Sequence, residues 1–135
     1  MKIEDLLSVA HTYGSPVYVY DADKISSQYQ RLTAAFSSVP HLRINYAMKA
    51  LSNIAVLKLM KSLGAGLDTV SIQEVQLGLL AGFAPEQIIF TPNGVSISEI
   101  EEAMRLGVQL NIDNLSFLEQ FGTQHPEVPV CIRIN

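Results

Sequence analysis

A strand-type segment followed by a helical segment recurs along most of this chain. Short apolar runs begin at intervals of roughly 20–25 residues from position 42 onward, and an amphipathic segment follows each of the first four. Such an interval accommodates a strand, a loop, a short helix and a return loop, so consecutive strands are expected to be parallel. The predicted strands are 42–48, 66–70, 87–91, 108–112 and 128–134.

Glycine marks the expected ends of the helices between these strands. It adopts the left-handed conformation that closes a helix without a steric penalty. The predicted helices are 53–63, 71–81, 97–106 and 114–121, and glycine follows them at positions 64, 82, 107 and 122.

Side chains that can cap a helix mark several of the expected helix starts. Ser71 with Glu74, and Ser96 with Glu99, have the spacing of capping boxes. Asp113 is expected to cap the helix that follows it, because a carboxylate can accept the unpaired N–H groups of a first turn.

Two segments precede the repeat. Residues 23–37 carry apolar side chains at helical spacing and predict one further helix. Pro16–Tyr20 (PVYVY) is β-branched and aromatic, which is typical of a strand. It does not fit the repeat, and we expect it to pair in a sheet elsewhere in the complete protein.

Composition and charge exclude several classes of protein. With 48% hydrophobic and 16% charged residues, the chain can form a core and is not expected to be disordered. A formal charge of −4 with scattered basic residues argues against nucleic-acid binding. Glu4 and Asp5 lie where a signal peptide would be basic, and no apolar run suits a membrane span, so a cytoplasmic protein is expected.

Cysteine and histidine offer no obvious chemistry. Cys131 is the single cysteine, which excludes an internal disulfide, and we interpret it as a small residue that lines a barrel. His11, His41 and His125 are too far apart in the pattern to form a zinc site or a Cys-His pair.

Two α/β architectures use repeated strand-helix units: an open doubly wound sheet and a closed eight-stranded barrel. The dinucleotide fingerprint is absent, because Gly64-Ala65-Gly66 precedes a strand instead of following one. We therefore favour the barrel. Five strands where closure needs eight indicate the N-terminal part of a (β/α)8 barrel from a longer protein.

Alternation along the first predicted strand places Arg43, Asn45, Ala47 and Lys49 on one face, which we expect to point into the barrel. Lys49 then lies at the carboxyl end of the strand, where such barrels carry their chemistry. A lysine there can be a Schiff-base residue, since an amine beside apolar walls loses its proton more easily. The alternative is a lysine that extends to solvent.

Other charged residues are candidates for the same site. Asp68 is expected on the inward face of the second strand, although it could instead act as a helix-start acid. Arg133 is expected to face inward on the fifth strand and to meet a carboxylate or a cofactor oxygen; a surface edge is the alternative. Ser71 and Glu74 are candidates after their capping role.

Several segments resemble one family, in the same order and at the same spacing. The segment YAMKA around Lys49 resembles the cofactor-lysine motif of the alanine-racemase-fold, pyridoxal-phosphate-dependent amino-acid decarboxylases. The other similar segments are GSPVYVYD (14–21), GAGLDTVSIQEV (64–75), IIFTPNGVS (88–96), NIDNLSFLE (111–119) and CIRIN (131–135).

The resemblance implies roles for four residues. Lys49 would bind pyridoxal 5'-phosphate covalently, and Asp68 and Glu74 would lie near it and help it move and regain its proton. Arg133 would join the polar network around the cofactor ring. The cofactor would act as an electron sink after loss of the substrate carboxylate.

The resemblance also implies a domain organisation. Residues 1–22 would join a β-domain absent from this chain, and residues 23–135 would form an incomplete barrel. The phosphate loop, the acid that pairs with the pyridine nitrogen and the residues supplied by a homodimer partner would lie downstream. We therefore expect the 135-residue chain alone to be inactive, to bind the cofactor weakly and to self-associate through its exposed last strand.

The opening GSPVYVYD favours decarboxylation of meso-2,6-diaminopimelate to L-lysine. Decarboxylases of carboxynorspermidine, ornithine or arginine, and a non-catalytic barrel protein that binds the cofactor, remain alternatives. Alanine racemase is disfavoured, because ALSN follows Lys49 where that enzyme has a KANAYG-like context.

Overall fold

Five parallel strands form one sheet, and each strand is hydrogen-bonded to the strands that precede and follow it in the sequence. The structure, a computed structural model, describes residues 1–134. Every strand lies inside its predicted range, which confirms the strand predictions. The strands are β1 (Asn45–Ala47), β2 (Gly66–Thr69), β3 (Ile88–Phe90), β4 (Gln109–Ile112) and β5 (Val130–Ile132).

Helices precede the sheet and connect its strands. The helix predicted at 23–37 and the four connecting helices are confirmed, whereas the first helix was not predicted. Its first turn contains Glu4 and Asp5, and the Asp5 carboxylate accepts from the Lys2 N–H. The helices are α1 (Ile3–Tyr13), α2 (Ala22–Ala35), α3 (Ile54–Ser62), α4 (Ile72–Leu80), α5 (Ile97–Arg105) and α6 (Leu115–Gln124).

The sequential strand order distinguishes between the two architectures. Parallel crossovers are right-handed, so crossovers that all advance in one direction place their helices on one face of the sheet. A doubly wound sheet instead reverses its strand order at a switch point. The order β1-β2-β3-β4-β5 shows no reversal within the described residues, as the barrel prediction requires.

The hydrophobic core lies between the sheet and the connecting helices. Leu67, Phe90 and Leu110 point from neighbouring strands into this core and are almost completely buried. Val75 of α4 and Ile100 of α5 pack against them. Because successive strand residues point to opposite faces, the residues between these core positions lie on the other face of the sheet.

Two predicted helix ends differ from the structure. Asn114, and not Asp113, caps α6, and its side-chain oxygen accepts from the Phe117 N–H at 3.2 Å. The cap must directly precede the first helical residue, and Asn114 holds that position. Gly122 does not end α6, which continues to Gln124, whereas Gly64, Gly82 and Gly107 follow their helices with positive φ as predicted.

The segment Pro16–Tyr20 forms no strand in the described chain. Tyr18 is 90% exposed there. A strand requires a partner for its backbone groups, and none of the five strands pairs with this segment. Pairing with a separate β-domain stays a prediction. Within residues 1–134, no helix has the length and apolar character that a membrane span requires.

The turn after β1 is held by a side chain of the strand itself. Residues Met48–Ala50 form one 3-10 turn, and Met48 is completely buried in the core. The Tyr46 hydroxyl donates to the carbonyl of Leu51 at 2.9 Å, just beyond the turn. This bond links the strand to the residue that leaves the turn.

The two glycines inside helices are expected to respond oppositely to alanine substitution. A Cβ at Gly78 would lie 2.7 Å from Cδ1 of buried Leu67, so Gly78→Ala is expected to lower the free energy of unfolding by ~1–2 kcal/mol. A Cβ at Gly122 meets nothing within 4 Å. Gly122→Ala is the matched control and is expected to raise stability by up to ~1 kcal/mol. Urea unfolding measures both, and equal effects would contradict the packing of α4 on β2.

Tyr46→Phe is expected to lower the free energy of unfolding by ~1 kcal/mol at neutral pH, because the bond to Leu51 is lost. Burial, with a smaller contribution from Tyr20, raises the pKa of the Tyr46 phenol above its usual 10.0. The folded chain thus favours the neutral phenol, and stability is lost as the pH rises above 10.0 through the raised pKa. Urea unfolding across that range should show a weaker alkaline loss in the variant; identical pH profiles would contradict this.

Candidate active site

Lys49 lies just beyond the carboxyl end of β1. Its side chain is exposed, and no ion pair involves it within residues 1–134. We expected the strand to extend to Met48 and its alternation to point Lys49 inward, but β1 ends at Ala47. The 3-10 turn at Met48–Ala50, and not strand pleating, therefore determines the direction of Lys49. Its position at the carboxyl end of the sheet is as predicted.

Asp68 lies in β2 directly beside the last residue of β1. Its register partner in β1 is Ala47, two residues before Lys49. Adjacent strands run about 4.8 Å apart, so Asp68 and the Lys49 turn are neighbours at the same end of the sheet. The Asp68 Oδ1 accepts a 2.8 Å hydrogen bond from the Thr91 hydroxyl. Ser71, and not Asp68, caps α4.

Thr91 and Asn111 extend the polar contact of Asp68 across the sheet. Thr91 follows β3, and its hydroxyl accepts from the side-chain N–H of Asn111 in β4 at 3.0 Å. These two residues were not predicted as part of the site. Their positions carried a signal, because each lies on the face opposite the buried core residues Phe90 and Leu110.

Glu74 serves as a capping residue in the structure. Its N–H donates to the Ser71 hydroxyl at 3.2 Å, which confirms that Ser71 caps α4. The Glu74 carboxylate accepts from the N–H of Val70 at 2.8 Å, one residue earlier than a standard capping box would use. Glu74 thus closes the loop between β2 and α4, directly after Asp68.

Arg133 follows the last residue of β5 and is exposed. Its backbone N–H donates to the carbonyl of Ile112, so it continues the pairing with β4. Cys131 pairs in register with Asn111 and is exposed as well. Asn135, which would share a strand face with Cys131 and Arg133, lies outside the described residues.

The groups at this end of the sheet fit an aldehyde cofactor with polar substituents. An exposed primary amine, that of Lys49, is available for reaction. The Asn111 Oδ1 is buried without a hydrogen-bond partner among the described residues, so it can accept a hydrogen bond from a bound group. The carboxyl ends of parallel strands are also where barrels of this kind position reactive side chains.

The curated proteins similar to this chain include diaminopimelate decarboxylases from two organisms. The diaminopimelate decarboxylase of Methanothermobacter thermautotrophicus is 37% identical over 133 residues, which cover 97% of this chain and 31% of that protein. The diaminopimelate decarboxylase of Helicobacter pylori is 39% identical over 125 residues, or 92% of this chain and 31% of the relative. The chain thus spans about a third of the length of these relatives.

Solved structures show the same fold. The crystal structure of Helicobacter pylori diaminopimelate decarboxylase with L-lysine has a TM-score of 0.83 at 36% identity, over 98% of this chain and 34% of that one. Lysine/ornithine decarboxylase from Vibrio vulnificus, with putrescine, has a TM-score of 0.86 at 27% identity, over 97% and 36%. The predicted barrel fold, with about a third of such a protein present, is confirmed.

A family model describes the same region as the pyridoxal binding domain of pyridoxal-dependent decarboxylases. It covers β1 to β5 and therefore includes Lys49, Asp68, Thr91 and Asn111. Because the match extends over residues 22–135, this chain belongs to the pyridoxal-dependent decarboxylase family, as part of its pyridoxal binding domain.

Proposed function

We propose that this chain supplies the N-terminal part of a pyridoxal-phosphate-dependent decarboxylase that converts meso-2,6-diaminopimelate to L-lysine. The observation that carries the proposal is the position of Lys49, an exposed amine at the carboxyl end of β1, one strand away from the Asp68 carboxylate. The names of the similar proteins support the substrate assignment.

In the proposed domain organisation, residues 1–22 contribute to a β-domain and residues 23–135 form the first five units of the barrel. The unpaired segment Pro16–Tyr20 and the five sequential strands support this division. Because three further strands are needed for closure, the 135-residue chain alone is proposed to be inactive.

Each site residue has a proposed task. When bound, pyridoxal phosphate supplies an electron sink for the electron pair left by the departing carboxylate. Lys49 would hold the cofactor through a bond between its amine and the cofactor aldehyde. Whenever Lys49 is not bonded to the cofactor, the Asp68 carboxylate would stabilise its ammonium form and so help it hold its proton. Glu74 shapes the loop after β2, and Arg133 holds an oxygen of the cofactor or of a neighbouring carboxylate.

The complete protein is proposed to be a cytoplasmic homodimer. The proposed place in amino-acid biosynthesis supports the cytoplasm, and the resemblance to the decarboxylase family supports the dimer. The proposed substrate is a small amino acid, and neither a nucleic acid nor a membrane is a proposed partner. Light scattering of the full-length protein tests the dimer.

A decarboxylase of ornithine or a related diamine precursor is the second candidate, since the Vibrio vulnificus structure with putrescine shares the fold. A substrate panel separates the candidates: meso-diaminopimelate, ornithine, arginine and carboxynorspermidine are each incubated with the full-length protein. We expect carbon dioxide release with meso-diaminopimelate. Preference for another member would overturn the substrate assignment but not the family.

Lys49 is expected to be the lysine that binds the cofactor in the full-length protein. Borohydride reduction followed by peptide mapping should find the pyridoxyl group on Lys49. Lys49→Ala should remove the cofactor absorbance band and leave the melting temperature within a few degrees of the original, because the side chain is exposed. Lys58→Ala, an exposed lysine on α3, is the control that should keep the band. A label on another lysine would refute the assignment.

Asp68→Ala is expected to lower kcat of the full-length protein at least ~tenfold. This loss corresponds to an increase of roughly 1.4 kcal/mol in the activation free energy. The reason is that the charge beside the Lys49 turn is lost while β2 keeps its core contacts through Leu67. Stopped-flow and steady-state assays measure the change, and thermal unfolding serves as the control. Unchanged turnover with a melting temperature lowered by several degrees would assign Asp68 a structural role only.

A further inference from the structure

We infer that Thr91 is a positioning residue that fixes the Asp68 carboxylate, and that Asn111 fixes the Thr91 hydroxyl in turn. The inference rests on the role proposed for Asp68 and extends it to two residues on the next two strands. The two hydrogen bonds, of 2.8 Å from Thr91 to Asp68 and 3.0 Å from Asn111 to Thr91, form one continuous path across the sheet.

Thr91 is itself held firmly. Its side chain is only 8% exposed, and its backbone N–H donates to the carbonyl of Thr69 at 2.8 Å. A hydroxyl carried on the Cβ of an anchored, nearly buried residue has few staggered positions to choose from. Thr91 can therefore determine the orientation of Asp68, and not merely follow it.

The donor and acceptor groups of Asp68, Thr91 and Asn111 determine which residue donates in each of the two hydrogen bonds. An ionised Asp68 only accepts, so the single hydroxyl proton of Thr91 has to point toward it. The Thr91 oxygen is then left as an acceptor, and Asn111 must present its N–H groups to it. This orientation leaves the Asn111 Oδ1 buried without a partner among the described residues, as the structure shows. The opposite amide orientation would draw the hydroxyl proton away from Asp68.

One anchored oxygen is sufficient to orient a carboxylate. With Oδ1 bound by Thr91, the plane of the Asp68 carboxyl group is fixed, and Oδ2 makes no hydrogen bond within residues 1–134. Oδ2 is thus the oxygen left to stabilise an ammonium group near the Lys49 turn. Loss of the Thr91 hydroxyl would let the carboxyl group rotate and would weaken that interaction.

Thr69 provides a matched control on the neighbouring strand. It is also a buried threonine, with 0% exposure, and its hydroxyl donates to the carbonyl of Ile89 at 2.9 Å. It lies next to Asp68 in β2 and so points to the opposite face of the sheet. A general effect of a buried hydroxyl on the fold would appear equally in Thr69→Val and Thr91→Val.

The test uses the full-length protein with two readouts: the 13C signal of the Asp68 carboxyl carbon in the cofactor-free protein, and kcat with KM in the loaded protein. Thr91→Val is expected to move the carbon signal and to lower kcat about tenfold, with KM changed less than about twofold. Thr91→Ser should restore both, and Thr69→Val should change neither. In the Asp68→Ala background, Thr91→Val should cause no further loss of kcat.

Three results would overturn the inference: an unmoved Asp68 signal in Thr91→Val, no rescue by Thr91→Ser, or an equal kcat loss with and without Asp68. Asn111→Ala should move the carbon signal in the same direction by a smaller amount, and it decides the question if Thr91→Val is too unstable. The carbon signal requires neither cofactor nor turnover. An unlabelled Lys49 or an absence of decarboxylation would therefore refute the proposed function while the signal still tests Thr91.

Discussion

The helical crossover between parallel strands is the constraint on which the rest of this structure depends. It brings every strand back in the same direction, beside the one before it. All the carboxyl ends then lie along one edge, and residues far apart in sequence become neighbours there. Lys49 and Asp68 both lie at this edge, because Asp68 pairs in register with Ala47, two residues before Lys49. The same constraint places the apolar face of each strand against helices and leaves the other face for polar side chains.

The periodic features of the fold could be predicted from the sequence because they depend on local patterns. Apolar alternation located every strand, and glycine located the ends of the helices before Gly64, Gly82 and Gly107. The errors arose where two signals competed for one position. Asn114 and Asp113 are both good caps, and only the position of the first helical residue distinguishes them. Gly122 is compatible with a helix interior, since nothing in its surroundings requires the chain to turn.

Less of the candidate site than of the fold could be predicted from the sequence. Alternation placed Asp68 on the face opposite the buried core residue Leu67, and the end of the first predicted strand drew attention to Lys49 before the resemblance to a family did. The turn that holds Lys49 could not be predicted, because neither its backbone bond from Leu51 to Met48 nor the bond from the Tyr46 hydroxyl beside it has a periodic signal. Thr91 and Asn111 were missed for a related reason: neutral polar residues near strand ends are common, and only their hydrogen bonds distinguish them.

The strictly sequential strand order also affects how such a chain can be synthesised and folded. Within the described residues each strand pairs only with the strands next to it in sequence, so these pairings do not wait for a distant segment, whereas closure of the proposed barrel would still have to bring β1 beside a later strand. In this respect the five described strands and their helices resemble a short repeat protein, in which each new strand-helix unit packs on the unit before it. A nascent chain can accordingly gain order unit by unit as it leaves the ribosome, with the Lys49 turn formed early and the later strands completing the wall around it.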